Sequence, residues 1–542
     1  MNRMNNRKAA LAAASLLALA ASAHADVVTD WNTTAGELVV GAKLGTPPAN
    51  RVMALVQTAV YDAVAATSLR QPGDAAAVDA AVAAANRVTL HKLIPAQEAA
   101  ITAAYTAALA RLPDSPAKAA GIATGEQAAS ALLARRADDG AATPERYRPL
   151  TTAGTYVPTT GVAAPQWPQR KPWAMASAAQ FRPGPPPELT STQWARDYDE
   201  VKTLGAKAST KRTAEQTEVA RFWDYSLPPI YHQVLRSVAT TPGRSVMQNA
   251  RLFATASQAM DDALIAVFDA KYHYNFWRPV TAIRNGDIDG NDRTAPEAGW
   301  TALIDTPLHP EYPSAHSIIA GALGVVLQAE AGPKGLPTFS TSSPTAQGTT
   351  RRWNNVDDFA REVGNARIWA GIHYRSSTEV GLAMGKQVGA VTLAQLAVAP
   401  AGEPKLVERV AARGVQVYEC RADAAAPAGA KWVFVAPQAE LFDAQGALRG
   451  THYAGPHWEA ADGSKIVGQV ESRAEAPQAG AIPWLLLSAR SVGGAGRYAG
   501  VTSVQRVNTS GGVLPAKGCD ANTVGAVDRV PYTADYLLYA SS

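Results

Sequence analysis

The spacing of apolar residues changes near residue 400, and this change limits the chain to two domains of different class. Before AVAPAGEPK at 397–405 the chain follows helical spacing, and the stretch from Arg244 to His273 contains neither Gly nor Pro. After it, short β-like runs such as GVQVYEC alternate with turn signals such as Asp462-Gly463. We therefore predict a mainly α-helical bundle over 26–400 and a smaller all-β domain over 405–542.

Alanine-rich stretches at 74–86, 98–110 and 116–136 predict closely packed bundle helices. A proline-rich segment follows at about 143–190. A connection of that length is expected either to wrap over a site or to lie on the surface.

Residues 1–25 have the basic start, short apolar run and small-residue ending of a signal peptide. We therefore expect a periplasmic or secreted protein. No later segment reads as long enough to span a membrane. Without the leader, 47 basic residues stand against 46 acidic ones, so nothing points to nucleic acid as a partner.

The only cysteines, Cys420 and Cys519, both lie in the predicted β domain of an exported chain, which is compatible with a disulfide between them, but the sequence does not determine whether they are bonded. His452, His457 and Glu459 form a weaker metal candidate in the same domain. Without a further well-spaced ligand, a strand or turn role is favoured for them.

Three separate segments carry residues suited to binding an anion. In KYHYNFWRP, Lys271 and Arg278 share a face if the helix continues to Pro279. In HPEYPSAHSIIAG at 309–321, Ser314 opens an apolar run, so the Ala315 N–H lies at a predicted helix N-terminus, where anions bind.

In the third segment, NARIWAGIHYRSSTEVG, Arg367 and His373 would oppose each other on a regular helix, so Gly371 is predicted to break it. Alone, each of these features reads as a helix cap, a solvated face or a core residue. Together, three cations, a hydroxyl, a backbone N–H and two imidazoles suit a compact tetrahedral oxyanion.

The order K-x6-R-P, P-S-x-H and R-x5-H resembles the signature of the type 2 phosphatidic acid phosphatase (PAP2) superfamily, and the surrounding residues resemble its vanadium-dependent haloperoxidases. The resemblance covers most of 45–395 and implies a helical bundle that binds vanadate. It assigns the vanadate oxygens to Lys271, Arg278, Ser314, Ala315 through its N–H, and Arg367.

The same resemblance makes His373 the axial ligand to vanadium and His316 the acid/base partner. Lys271 would polarise the oxidant. The implied substrates are hydrogen peroxide, a halide and a small organic acceptor. His309 stands where bromoperoxidases of the family carry an extra histidine, which favours bromide or iodide.

Three positions depart from the family pattern. Ala315 replaces a glycine and serves only if its φ need not be positive. Ala366 replaces a serine. Ser377 replaces the aspartate that orients the second histidine, and the sequence leaves open whether Ser377 or Glu379 reaches His373.

Two other functions stay open at this point. The same pocket suits a phosphatase with His373 as nucleophile and His316 as general acid, or a non-catalytic phosphate-binding or interaction protein. Residues 405–542 resemble a secreted β domain of unknown function (DUF3455-like), and this resemblance does not indicate which activity, if any, the domain has. Halide preference, natural acceptor and oligomeric state are not determined by the sequence.

Overall fold

The computed structural model describes residues 26–71, 73–331, 335–398, 405–443, 445–476 and 478–540. The chain divides between Leu393 and Ala394 into two compact units, one helical and one built of strands. The predicted fold class, a helical bundle followed by a smaller all-β domain, is confirmed. The predicted signal peptide lies outside the described residues.

The helical unit contains α1 (Val27–Gly41), α2 (Thr46–Arg70), α3 (Ala75–Leu93), α4 (Glu98–Ala110), α5 (Pro116–Arg135), α6 (Thr192–Gly205), α7 (Ala214–Phe222), α8 (Pro229–Ala239), α9 (Val246–Tyr274), α10 (Pro279–Arg284), α11 (Ala315–Ala329), α12 (Val356–Trp369) and α13 (Arg375–Val398). A hairpin of β1 (Phe339–Ser342) and β2 (Thr350–Trp353) joins α11 to α12.

Helix α9 forms the centre of the helical unit. It begins with a capping box between Ser245 and Gln248. Most of its length is buried on all sides, with α2 and α11 packed against it. A helix that is buried around most of its circumference belongs in a core, and this position lets its last turn enter the site described below.

Helix α2 is long and apolar enough to cross a membrane, so the expectation that no later segment has that length is wrong. However, 67% of its most apolar stretch is buried inside the unit, as in the core helix of a bundle.

The proline-rich segment at 143–190 packs along α9. Arg170 pairs with Asp261 and Arg182 with Asp269, both on that helix. The backbone N–H of Ala163 donates to the carbonyl of Leu308. The segment combines the two predicted alternatives, since Ala163 lines the cavity described below and residues 148–153 are exposed on the surface.

In the described part of the second unit, eight antiparallel strands close into a barrel, each pairing with its neighbours along the chain and the last with the first. They are β3 (Lys405–Ala422), β4 (Ala430–Phe442), β5 (Leu448–Tyr453), β6 (His457–Ala460), β7 (Lys465–Ala474), β8 (Trp484–Ser491), β9 (Val501–Gly511) and β10 (Val527–Ala540). A disulfide is present, with 5.7 Å between the Cα atoms of Cys420 and Cys519.

Candidate anion-binding site

Lys271 lies in the last turn of α9 and is fully buried. Its Nζ donates to the carbonyls of Pro310, at 2.9 Å, and Glu311, at 2.8 Å. Burial lowers the pKa of Lys271 well below its usual value, and the nearby Arg278 lowers it further. The lysine therefore fastens the 309–321 segment to the core helix.

The prediction that Lys271 and Arg278 share one helix is wrong. Helix α9 ends at Tyr274, because Asn275 adopts the left-handed conformation with φ 49°. Pro279 does not stop a helix but begins α10, where its missing N–H costs nothing. Arg278 therefore reaches the site from the connection between the two helices.

The buried Arg278 guanidinium joins two of the predicted segments. Its Nε donates to the carbonyl of His309 at 2.9 Å. Its Nη2 lies 3.0 Å from Nδ1 of the same residue, which also lies 3.2 Å from the Pro310 carbonyl. Its Nη1 donates to the carbonyl of Ile372 at 2.8 Å and to Nε2 of His373 at 3.3 Å. Desolvation lowers the pKa of Arg278 to about 10, so the group stays a cation at neutral pH.

Ser314 caps the N-terminus of α11, and its Oγ accepts from the Ser317 N–H at 3.4 Å. Ala315 is the first helical residue and does not have a positive φ, so alanine meets the condition set for replacing glycine. Gly381 of α13 permits the close contact here, since a Cβ would lie 2.6 Å from the Ser314 carbonyl oxygen.

Arg367 and His373 lie on different elements. Helix α12 ends at Trp369, Gly371 has φ 81°, and α13 starts only at Arg375. The break predicted at Gly371 is therefore present, and it allows the two side chains to face the same site. Gly371 has no room for a side chain either, because a Cβ would lie 2.4 Å from the Gly205 carbonyl oxygen.

Glu311 supplies the carboxylate that the sequence did not identify for His373. Its Oε1 lies 2.7 Å from His373 Nδ1 and accepts the Tyr374 N–H at 3.0 Å. Ser377 Oγ lies 3.5 Å from the same Nδ1, a weak contact, and Glu379 is exposed. The clue was present in the sequence, because Glu311 stands between His309 and Ser314.

The hydrogen bonds define the protonation of His373. Arg278 can only donate, so Nε2 accepts, and Nδ1 therefore carries the proton and donates it to Glu311. Desolvation and then the surrounding cations, Arg278 first, lower the pKa of His373 well below its usual value. The ring is neutral and presents a lone pair at Nε2, the form in which histidine ligates metals.

Arg367 and His316 complete the set of site residues. Arg367 is buried, and one of its N–H groups donates to the carbonyl of Trp223. Burial lowers the pKa of Arg367 to about 10, and burial with the Arg367 charge lowers that of His316 well below its usual value. Within the described residues, Arg367 Nε and His316 Nε2 are buried without a hydrogen-bond partner.

A cavity of about 320 Å³ brings these segments together. Its polar wall contains Asp224, Ala315, His309, His316, Arg367 and His373, and its apolar wall contains Leu264, Phe268 and Ile319. Lys271, Arg278 and Ser314 do not line the cavity. Lys271 and Arg278 nevertheless lower the pKa of His373, as does Arg367, and Arg278 also contacts the ring directly at 3.3 Å.

Comparison with known proteins agrees with this architecture. Residues 251–399 match the family described as VCPO second helical-bundle domain, and residues 400–540 match a family described as a protein of unknown function (DUF3455). A vanadium chloroperoxidase of Curvularia inaequalis is 30% identical over 172 residues, which cover 26% of this chain and 28% of that protein.

Solved structures extend the similarity to a larger share of the chain. The crystal structure of a bacterial vanadium-dependent iodoperoxidase has a TM-score of 0.58 and 25% identity, covering 68% of this chain and 95% of that one. An apo-type bacterial vanadium-dependent chloroperoxidase has a TM-score of 0.54 at 17% identity, covering 63% and 91%, and supports the fold. In sequence and fold the helical unit is therefore similar to vanadium-dependent haloperoxidases, and residues 400–540 match the DUF3455 family.

Proposed function

We propose that this protein uses hydrogen peroxide to oxidise a halide at a bound vanadate. The observation that carries the proposal is the His373–Glu311 pair, which keeps one imidazole neutral, with an Nε2 lone pair, among three buried cations. Such an arrangement suits an anion whose central atom also accepts a nitrogen ligand.

The residues present fit a tetrahedral oxyanion. Two buried groups at the site, Arg367 Nε and His316 Nε2, lack partners among the described residues. The first N–H groups of α11 are oriented toward its N-terminus, where the helix dipole favours negative charge. We assign the oxyanion to Lys271, Arg278, Ser314, the Ala315 N–H and Arg367, and the nitrogen ligand to His373.

Bound vanadate would supply Lewis-acid activation of the peroxide. The chain supplies the remaining functions. The guanidinium and ammonium groups stabilise negative charge at the site. His316 is neutral and holds its Nε2 at the cavity wall, where it can accept a proton.

We further propose bromide or iodide as the halide and a small organic molecule as the acceptor. His309 lines the cavity, and its ring is held by Arg278 at 3.0 Å and lies against Phe268. A cavity of about 320 Å³ lies within the range of sites for small organic molecules, about 300–1,000 Å³. We also propose export, because the Cys420–Cys519 bond fits an oxidising compartment.

The test reconstitutes the full chain with vanadate and measures bound vanadium together with peroxide-dependent bromination of a dimedone-type acceptor. We expect saturable vanadium uptake, bromination, and competition by phosphate. His373→Ala should lose both vanadium uptake and bromination. His273→Ala, which removes an exposed imidazole near the end of α9, should retain vanadium uptake and bromination.

Hydrolysis of p-nitrophenyl phosphate is assayed in parallel. Hydrolysis without bromination would replace the proposal with phosphatase chemistry at the same residues. Phosphate binding without either activity would identify a binding protein. Bromination that persists unchanged in His373→Ala would overturn the assignment of the site.

A further inference from the structure

The β-barrel has a cavity of its own, of about 490 Å³, at one end. Because neighbouring strands are antiparallel, the cavity is lined by the end of one strand and the start of the next. For example, Tyr418 lies late in β3 and Phe434 lies early in β4. Packed side chains that do not line the cavity, among them Leu441, Ile466 and Leu538, form a buried apolar cluster with Trp458 and Tyr536 of its wall. An eight-stranded barrel can enclose one small ligand in this way, and about 490 Å³ lies within the usual range for such sites.

The walls of this cavity are largely apolar and include four large aromatic side chains. Tyr418, Phe434, Trp458 and Tyr536 line it together with several aliphatic residues. The ring of Trp458 stacks on His452 at 4.4 Å and meets Tyr536 edge-on at 5.3 Å. Flat aromatic surfaces held in this way favour a ligand with an aromatic body.

The charge of the cavity wall is entirely positive. Arg506 and Arg473 line the cavity, and no carboxylate is among the described residues that do so. Arg506 Nε and Nη2 donate to the carbonyl of Pro483 at 3.1 and 2.9 Å, which fixes the guanidinium. Within the described chain, neither arginine has a carboxylate within 4.0 Å, so their charges are available to a ligand anion.

One buried N–H donor in the wall lacks an acceptor. Trp458 is 1% exposed, and its Nε1 has no hydrogen-bond partner among the described residues. Gln416, 2% exposed, also lines the cavity, and its side chain hydrogen-bonds with Tyr532. Buried donors without partners are rare, and a ligand acceptor group would satisfy Trp458 Nε1.

His452 and His457 do not form the metal site considered from the sequence. His452 Nδ1 bonds to the His457 carbonyl at 2.8 Å, and His457 Nδ1 bonds to the Ala454 carbonyl at 2.6 Å. Glu459 pairs with Tyr453 and Lys465. The described residues contain no cluster suited to a metal ion.

We infer that the barrel binds a small organic anion with an aromatic body, such as an aromatic carboxylate. Its rings would lie against Trp458 and Tyr536 and its acid group against Arg506. Phe434 and Val435, 49% and 44% exposed, line the cavity too and present an apolar surface to an incoming ligand.

Calorimetric titration of the full chain with 1-naphthoate, and with neutral 1-naphthalenemethanol, tests this inference. We expect saturable binding of the carboxylate, at least tenfold tighter than that of the alcohol. Arg506→Gln should reduce the difference to within about twofold. Arg490→Gln should preserve it, because that arginine is exposed on β8 and does not line the cavity.

If Arg506→Gln unfolds the barrel, as judged by circular dichroism, the inference is tested with Arg473→Gln and Gln416→Leu instead. Each of these variants should weaken binding of 1-naphthoate at least threefold. No saturable binding, equal affinity for acid and alcohol, or carboxylate binding unchanged in the folded cavity variants would overturn the inference. Carboxylate binding that is unchanged in the folded cavity variants would mean that the ligand binds elsewhere on the chain. Neither vanadium uptake nor bromination enters this test, so it is independent of the function proposed for the helical unit.

Discussion

Replacing Glu311 with glutamine should separate the binding of vanadate from the binding of a plain oxyanion. Glutamine keeps the shape of the side chain and an oxygen that can accept from His373 Nδ1 and the Tyr374 N–H. It removes the negative charge that stabilises the Nδ1–H form of the ring. Vanadate would bind His373 Nε2, whereas phosphate needs no bond to nitrogen.

The expected change in vanadate affinity follows from the weakening of the hydrogen bond between His373 and residue 311. A bond to a charged group contributes about 1.5–3 kcal/mol, against about 0.5–1.5 for a neutral pair. The difference, about 1–1.5 kcal/mol, corresponds to about a tenfold change in a binding constant. Phosphate should bind as well as before or more tightly, because an anionic charge leaves a site with three buried cations, Lys271, Arg278 and Arg367.

Dissociation constants for vanadate and phosphate are measured by calorimetry at pH 8, where Glu311 is ionised. We expect the ratio of the vanadate to the phosphate dissociation constant to rise about tenfold in Glu311→Gln. Glu215→Gln, which removes the same charge from a carboxylate with 78% of its side chain exposed, should not shift it. A ratio within twofold of wild type, or equal weakening of both anions, would refute the role given to Glu311.

Three further outcomes are expected. Burial raises the pKa of Glu311 to about 7, and protonation removes the charged acceptor, so the wild-type preference for vanadate should fall between pH 8 and 6; an equal fall in the glutamine variant would contradict this. Gly385→Ala puts a Cβ 2.1 Å from the Ile318 oxygen and should lower the free energy of urea unfolding by about 1–3 kcal/mol, whereas Gly299→Ala, with nothing within 4 Å, should not. Reduction of the disulfide, which spans 99 residues, should destabilise the barrel by about 4–5 kcal/mol, as measured by urea unfolding with and without reductant.

The sequence by itself determined the class of each domain and the residues suited to an anion. Periodicity carries that information, because a helix and a strand bury their apolar faces at different spacings. The Ser314 cap and the Gly371 break were also readable, since each depends on the conformation of a few adjacent residues. The end of α9 was not, because the left-handed conformation of Asn275 competed with the apparent stop at Pro279.

Only the tertiary structure decided which groups act together. Glu311 and His373 are 62 residues apart, and nothing local joins them. Their contact arises because Lys271 holds the 309–321 segment against α9 while Gly371 releases His373 from α12. The barrel cavity is likewise invisible in the sequence, because the same alternating pattern describes a filled barrel and an open one. Only the register and closure of the strands decide which side chains meet inside.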